Sequence, residues 1–195
     1  MARRRLRIAV SGTHCSGKST LIDDFLLAHR DYEHEPEPYE WLQEMYGEEF
    51  AAEPDVADYY RQLEVSVSRL LGYGHDARVI VERSPVDFLA YMLALGDLRR
   101  GGRAAGLIES AIELAASGIE RLDVLVVLPL NNRDGILAPP SEDLELREAM
   151  DDRLAEIITS DEFDLFSGGH PRVVQVQGTR SARLAAVERT LAELR

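Results

Sequence analysis

A glycine-rich segment near the start of the chain has the residue types and spacing of a phosphate-binding loop. Residues 12–19 read GTHCSGKS and fit the pattern GxxxxGK(S/T). Glycines let backbone N–H groups curl around an anion at the start of a helix. The lysine of this pattern supplies a point charge to the β- and γ-phosphates, and the hydroxyl that follows it is a ligand for Mg²⁺. The segment therefore predicts a binding site for a nucleotide and Mg²⁺.

The lysine of this Walker A pattern is unusual in the chain. Lys18 is the only lysine among 22 basic residues, and all the others are arginine. A compact ammonium suits the phosphates at this position better than a planar guanidinium, which accounts for the exception. We predict that Ser19 holds the metal and that His14 and Cys15, at variable positions, are spacers. The predicted nucleotide-binding residues are Gly12, Thr13, His14, Cys15, Ser16, Gly17, Lys18, Ser19 and Thr20.

The surrounding pattern places this loop between a strand and a helix. Continuous apolar runs, typical of strands buried on both faces, lie at residues 6–10, 79–81, 124–128 and 173–176, with a weaker strand at 31–34. Helical periodicity follows the loop and fills the intervals between these runs. The alternation predicts an α/β fold, namely a single P-loop NTPase domain over residues 1–195. We expect a three-layer α/β/α sandwich with a parallel, doubly wound sheet of about five strands.

Two further clusters combine carboxylates with other functional side chains. Residues 37–41 read EPYEW and resemble the E-P-x-x-W motif of the deoxyribonucleoside kinase family. Residues 82–84 read ERS, at the end of a predicted buried strand, and resemble the E-R-S motif of the same family. The resemblance covers about residues 6–95. For the second cluster a structural ion pair at the strand end is the alternative interpretation.

The resemblance implies a role for each matching residue. Glu37 is implied as the general base that faces the acceptor hydroxyl, and Trp41 as part of the acceptor pocket. Glu82 is implied near Mg²⁺, and Arg83 near the acceptor oxygen and the transferring phosphate. Gln62 stands where the family carries a glutamine that hydrogen-bonds the base, although an exposed helical glutamine is an equally ordinary explanation.

The second half of the chain departs from that family. Its members carry an arginine-dense lid after the fourth strand, whereas the lid-like segment here, about residues 130–146, is poor in arginine. Arg133 is the predicted lid contact to the nucleotide, and an exposed loop arginine is the alternative. The whole-chain pattern also resembles small ATP-binding domains that include the nicotinamide riboside kinase domain of bacterial bifunctional regulators. That group has a compact chain and a poorer lid.

Local charge restricts the acceptor. Residues 31–60 contain eleven acidic residues and no lysine or arginine. An acceptor that already carries phosphate would be repelled there, which favours a neutral or cationic small molecule such as a nucleoside. The formal net charge of −13 likewise makes nucleic acid and anionic membranes poor partners. The apolar run after the basic start is too short for an export signal, so we expect a cytoplasmic protein.

The sequence thus predicts an ATP-dependent small-molecule kinase that phosphorylates a hydroxyl of a nucleoside-like acceptor. ATP is preferred over GTP because the chain has no convincing N-K-x-D guanine signature. A regulatory or switch ATPase acting on a protein partner is the alternative, and a pure binding scaffold would leave Lys18, Glu37 and Glu82 without a shared purpose. The apolar stripes within residues 63–71 and 108–115 suit either core packing or a homodimer interface.

Overall fold

The computed structural model describes residues 6–47, 54–74, 76–101, 105–131, 134, 136 and 138–194. Strands and helices alternate along this part of the chain. The strands are β1 (Arg7–Ser11), β2 (Glu33–Glu35), β3 (Val79–Glu82), β4 (Val124–Val127) and β5 (Arg172–Gln175). The α-helices are α1 (Lys18–Ala28), α2 (Pro38–Tyr46), α3 (Val56–Gly72), α4 (Pro85–Asp97), α5 (Ala105–Ile119), α6 (Leu144–Ser160) and α7 (Arg180–Glu193).

The five strands form one sheet in the order β2-β3-β1-β4-β5, and every pairing is parallel. Strands β1, β3 and β4 lie inside the sheet and are buried along their whole length. The predicted doubly wound α/β fold is therefore confirmed, including the short strand β2. None of the helices in these ranges combines the length and the apolar character needed to cross a bilayer.

Alternate side chains of the central strands pack against opposite helical layers. Ala9, Val81 and Leu125 belong to the core shared with α3, α4, α5 and α6. Ile8 and Val10, on the other face, pack with α1 and α7. The apolar stripes of α3 and α5 are buried in the first core, at Leu63, Leu70, Ala111 and Ala115. Core packing therefore accounts for these stripes, and a homodimer stays a prediction.

Helix α2 was not expected from the apolar pattern, because it is only nine residues long and buries only Pro38 and Leu42. Pro38 starts the helix, where its missing N–H leaves no hydrogen bond unmade. Gly47 ends it in the left-handed region, with φ 63°. Glu37 consequently stands at the N-cap of a helix, immediately after the loop that follows β2.

A buried carboxylate ties the end of β1 to the start of α4. Asp87 is fully buried, and its Oδ1 accepts a hydrogen bond of 2.8 Å from the backbone N–H of Gly12. Its Oδ2 accepts from the Ser11 hydroxyl at 2.6 Å and from the Ser84 backbone N–H at 2.8 Å. Because Gly12 opens the phosphate loop, helix α4 fixes where that loop leaves the sheet.

The variant Asp87→Ala should therefore be strongly destabilised, since it leaves these donors buried and unpaired. We expect the free energy of unfolding to fall by about 3 kcal/mol. The check is equilibrium unfolding in urea, with the exposed Asp152→Ala as a matched control that should stay near wild type. Equal unfolding midpoints for the two variants would show that the Asp87 hydrogen bonds contribute little.

Candidate active site

The phosphate loop turns sharply between β1 and α1, and two glycines make the turn feasible. Gly12 has φ 147°, and a Cβ there would lie 2.7 Å from the Leu128 carbonyl oxygen. Gly17 has φ 94°, and a Cβ there would lie 2.5 Å from Nη1 of Arg183. A larger residue at Gly12 would displace the loop, and one at Gly17 would strain the backbone and displace the Arg183 guanidinium.

Two arginines from distant helices hold the carbonyl groups of this loop. Arg147 of α6 donates from Nε to the His14 carbonyl at 2.8 Å and from Nη2 to the Cys15 carbonyl at 3.3 Å. Arg183 of α7 is buried and donates from Nη1 to the Ser16 carbonyl at 3.1 Å. Together they position the loop backbone from two further helices of the fold.

A cluster of three charged side chains lies at the loop. Glu37 forms an ion pair with Arg83, in which Oε1 of Glu37 lies 3.0 Å from Nε of Arg83. The same oxygen lies 3.8 Å from Nζ of Lys18. Lys18 also donates to the Thr13 carbonyl at 3.0 Å, which holds its buried ammonium beside the loop. The structure therefore brings together Lys18, Glu37 and Arg83, the three predicted catalytic residues.

Their proximity shifts the protonation of all three groups. Burial and the neighbouring Arg83 lower the pKa of Lys18 to about 8. Burial alone would raise the pKa of Glu37, but Arg83 and Lys18 outweigh it and lower that pKa to about 2. Burial acts against the charge of Arg83, yet Glu37 holds its pKa well above the ordinary value. At neutral pH the cluster is thus one carboxylate between two cations.

Arg83 adopts an uncommon backbone conformation at the carboxyl end of β3, with φ 67°. Left-handed φ values cost free energy for a residue with a side chain and occur preferentially at functional sites. Its guanidinium is 2 % exposed, and Nη1 reaches the Gly12 carbonyl at 3.3 Å. Within the described ranges, Nη2 of Arg83 is buried without a hydrogen-bond partner. This donor therefore has hydrogen-bonding capacity that the described residues do not use.

Two side chains with oxygen atoms suited to a metal ion lie beside the cluster of Lys18, Glu37 and Arg83. The Ser19 hydroxyl donates to Oε1 of Glu82 at 2.8 Å, so the two predicted metal ligands are in direct contact. Burial, followed by the neighbouring Glu37, raises the pKa of Glu82. His34 of β2 also approaches Glu82, with 3.9 Å between Nε2 and Oε2.

A cavity of about 710 Å³ opens next to the phosphate loop. It lies between that loop, α3, the segment that follows α4, and the start of α6, and its lining includes His14, Tyr59, Arg100 and Glu142. The His14 side chain is more than a spacer here, because its Nδ1 lies 3.1 Å from Oε1 of Glu142. Burial, followed by Arg83, lowers the pKa of His14 to about 3, so this ring is neutral at physiological pH.

The remaining predicted residues are dispersed. Gln62 is buried on α3, one helical turn after Tyr59, while Thr20 lies half-buried in the first turn of α1. Trp41 lies apart from the large cavity, in a smaller cleft with Tyr46 and with the guanidinium carbon of Arg69 5.0 Å from its ring. Arg133 lies outside the described residues.

Several residues that shape the site were not singled out from the sequence. Asp87 carried a readable signal, since Ser84 and Asp87 form a capping box at the start of α4 and Pro85 is its first residue. Arg183 and Tyr91 carried none, because each lies within ordinary helical periodicity and acquires its role only through tertiary contacts. The Tyr91 hydroxyl accepts a hydrogen bond from the His14 backbone N–H at 3.2 Å.

No protein-family model and no curated protein matches this chain. Solved structures do. Thymidylate kinase from Candida albicans is 14 % identical with a TM-score of 0.69, over 98 % of this chain and 92 % of that one. Deoxyadenosine kinase from M. mycoides with bound dATP is 16 % identical with a TM-score of 0.63, over 96 % and 100 %. The chain has the fold of the P-loop kinases.

A NadR protein in complex with NR shares the P-loop kinase fold as well. It is 16 % identical with a TM-score of 0.62, and the match covers 97 % of this chain. This chain spans about half of that protein, since 52 % of it is covered. The predicted resemblance is thereby confirmed for the fold, whereas the reaction has to be argued from the residues.

The pKa of Lys18 leads to a pH dependence of nucleotide binding in this P-loop kinase fold. Because the lowered pKa of about 8 lets the ammonium lose its proton in alkaline solution, affinity for ATP should fall as the pH rises. We expect the Kd for ATP to rise about tenfold per pH unit above that pKa. Titration calorimetry between pH 7 and pH 9.5, without an acceptor, measures this directly.

The matched control for this titration is Lys18→Arg, whose guanidinium keeps its charge across the same range. Its affinity should be lower at neutral pH and should not change with alkaline pH. A wild-type affinity that stays flat above pH 8, or an equal slope in both proteins, would remove Lys18 as the titrating group.

Proposed function

We propose that this protein is a small-molecule kinase that transfers the γ-phosphate of Mg-ATP to a hydroxyl of a nucleoside-like acceptor carrying no phosphate. The proposal rests on one observation above all: the Glu37 carboxylate lies 3.0 Å from Arg83 and 3.8 Å from the phosphate-loop Lys18. A carboxylate at this place is a base next to the group that binds the transferring phosphate. Phosphoryl transfer requires little more than such positioning and charge stabilisation.

The residues at the loop fit a magnesium ion. Ser19 and Glu82 provide two ligand oxygen atoms that lie 2.8 Å apart. Proteins usually bind Mg²⁺ through one or two such oxygens together with substrate phosphates. Ser19 is exposed and so remains accessible, while Glu82 is buried at the end of β3. When bound, the ion neutralises charge on the phosphate oxygens.

The chain's own residues divide the work of the transfer. Glu37 takes the proton of the acceptor hydroxyl as that oxygen forms its bond to the γ-phosphorus. The bond from the γ-phosphorus to the β–γ bridging oxygen breaks, and ADP leaves with the electron pair. Lys18 and Arg83 stabilise the negative charge on the transferring group. Among the described residues Nη2 of Arg83 has no hydrogen-bond partner, so it has a hydrogen bond left to donate.

Glu37 becomes a better base when nucleotide binds. In the free protein Arg83 and Lys18 keep its pKa at about 2, which is too low for an efficient base at neutral pH. Phosphate oxygens that pair with the two cations add negative charge nearby, and this raises the pKa of the carboxylate. Base strength therefore arises together with the phosphate that the acceptor is to attack.

The charges of the large cavity favour an acceptor without phosphate. Its lining contains three carboxylates, at Asp55, Glu142 and Asp143, against two guanidinium groups. Arg100 is paired with Asp143 at 2.6 Å, and Arg147 is held by the loop carbonyls. In the described lining, both cations that could receive an acceptor phosphate are thus already engaged.

Replacing Glu37 by glutamine separates transfer from nucleotide binding. We expect Glu37→Gln to lower acceptor-dependent turnover at least about 100-fold, because the amide cannot take the proton. Affinity for ATP should be retained or increased, since Lys18 and Arg83 are no longer neutralised. The readouts are ADP release with a panel of nucleosides, including nicotinamide riboside and deoxyadenosine, and calorimetric binding of ATP.

Glu40→Gln is the control, because Glu40 is exposed on the same helix and should leave turnover unchanged. Matching 5′-monophosphates belong in the panel to test the charge argument. Turnover that survives in Glu37→Gln would remove the carboxylate from the mechanism. Slow ATP hydrolysis that no acceptor accelerates would contradict the kinase proposal. It would favour the alternative, a regulatory ATPase that acts on a protein partner.

Two variants of Ser19 test whether its hydroxyl is a ligand of Mg²⁺. Ser19→Ala should raise the Mg²⁺ concentration needed for half-maximal turnover about tenfold, because one oxygen ligand is lost. Ser19→Thr keeps the hydroxyl and should need nearly the wild-type concentration. An equal Mg²⁺ requirement in the alanine and threonine variants would show that the Ser19 hydroxyl is not a ligand.

A further inference from the structure

The large cavity beside the phosphate loop has a wall of stacked tyrosines. Tyr59 of α3 lines the cavity, and its ring lies parallel to that of Tyr91, with 4.5 Å between centroids and an interplanar angle of 1°. The Tyr91 ring in turn faces the guanidinium carbon of Arg83 at 5.3 Å. A continuous series of contacts therefore links Tyr59 to Arg83 and Glu37, the groups proposed to act on the acceptor hydroxyl.

The Tyr59 hydroxyl makes no hydrogen bond within the described part of the protein. Tyr59 is 4 % exposed, and among the described residues its hydroxyl is buried without a hydrogen-bond partner. A buried hydroxyl without a partner costs free energy and is therefore uncommon in folded proteins. The Tyr91 hydroxyl, by contrast, is engaged by the backbone N–H of His14. Packing explains why the Tyr59 ring is buried, but it does not explain why the residue carries a hydroxyl.

We propose that the Tyr59 hydroxyl is a specificity-determining group that hydrogen-bonds the acceptor in this cavity. The inference rests on the proposed kinase function and identifies a contact by which the acceptor is selected. The partner atom is an oxygen or nitrogen of the acceptor with a free lone pair, such as a sugar oxygen or a base carbonyl. A purely apolar acceptor of the same size would leave the hydroxyl unpaired and is rejected.

The surroundings of Tyr59 keep it in the donor form. Burial raises the pKa of its hydroxyl, with the neighbouring Tyr91 next in effect. The phenol therefore stays protonated over the whole range in which the protein is assayed. Across the cavity, the Glu142 carboxylate has only acceptor atoms when ionised. Tyr59 and Glu142 both line the cavity, so the proposed ligand accepts a hydrogen bond from Tyr59 and donates one to Glu142, as a hydroxyl group does.

The test is Tyr59→Phe, which keeps the ring and its stacking on Tyr91 and removes only the oxygen. We expect KM for the acceptor to rise about tenfold, with KM for ATP unchanged. Tyr60→Phe is the matched control. Tyr60 is the next residue on α3, faces the groove toward α5, and should leave both KM values at the wild-type level.

A second readout separates recognition from a structural role. Because the hydroxyl is unpaired in the free protein, Tyr59→Phe without ligands should have a melting temperature equal to or above that of wild type. A lower melting temperature with an unchanged acceptor KM would mean that the oxygen serves the fold, for example through an ordered water. That result would overturn the inference.

The remaining outcomes distinguish the inference from the function on which it rests. Acceptor-dependent turnover with equal acceptor KM in wild type and Tyr59→Phe would overturn the role of Tyr59 and leave the kinase intact. The absence of acceptor-dependent turnover in wild type, across nucleosides and their monophosphates, would overturn the kinase proposal and the recognition role together.

Discussion

Arg83 carries a positive charge that water scarcely reaches, and the organisation of the site follows from how that charge is compensated. A buried guanidinium destabilises a fold unless charged and polar partners surround it. Here those partners are the carboxylate of Glu37, the carbonyl of Gly12 and the face of the Tyr91 ring. One residue at the end of β3 thereby connects the N-terminus of α2, the start of the phosphate loop and the interior of α4.

The phosphate loop is held in place before any ligand arrives. Asp87 of α4 fixes its first residue, while Arg147 of α6 and Arg183 of α7 hold carbonyl groups further along it. Each contact crosses a large sequence separation, so the loop acquires its shape from the complete fold as well as from its own glycines. Donors that are already oriented need no reorganisation during the reaction, which is how electrostatic catalysis becomes efficient.

The sequence predicted what is local and left out what is tertiary. Strands β1, β3 and β4 were recognisable because residues buried on both faces form continuous apolar runs. The loop followed from its spacing, and Glu37 and Arg83 followed from the resemblance to the motifs of the deoxyribonucleoside kinase family. Helix α2 was missed because nine residues are too short for a long periodic face and only Pro38 and Leu42 are buried. Arg147 and Arg183 were not recognised as loop contacts, since an arginine in a helix is usually exposed and nothing local distinguishes one that turns inward.

The polar groups of the site are not all satisfied within the described part of the protein. On the loop side, carbonyl groups and the Lys18 ammonium all have partners within the protein. Among the described residues, three buried side-chain atoms of the site have no hydrogen-bond partner, namely Oγ of Ser16 in the loop, Nη2 of Arg83 and the hydroxyl of Tyr59. Left-handed backbone at Arg83 adds strain in the same region. The unpaired groups and the strained backbone lower the stability of the free protein. Hydrogen bonds from a ligand would recover that free energy, which favours an acceptor whose polar atoms match these donors.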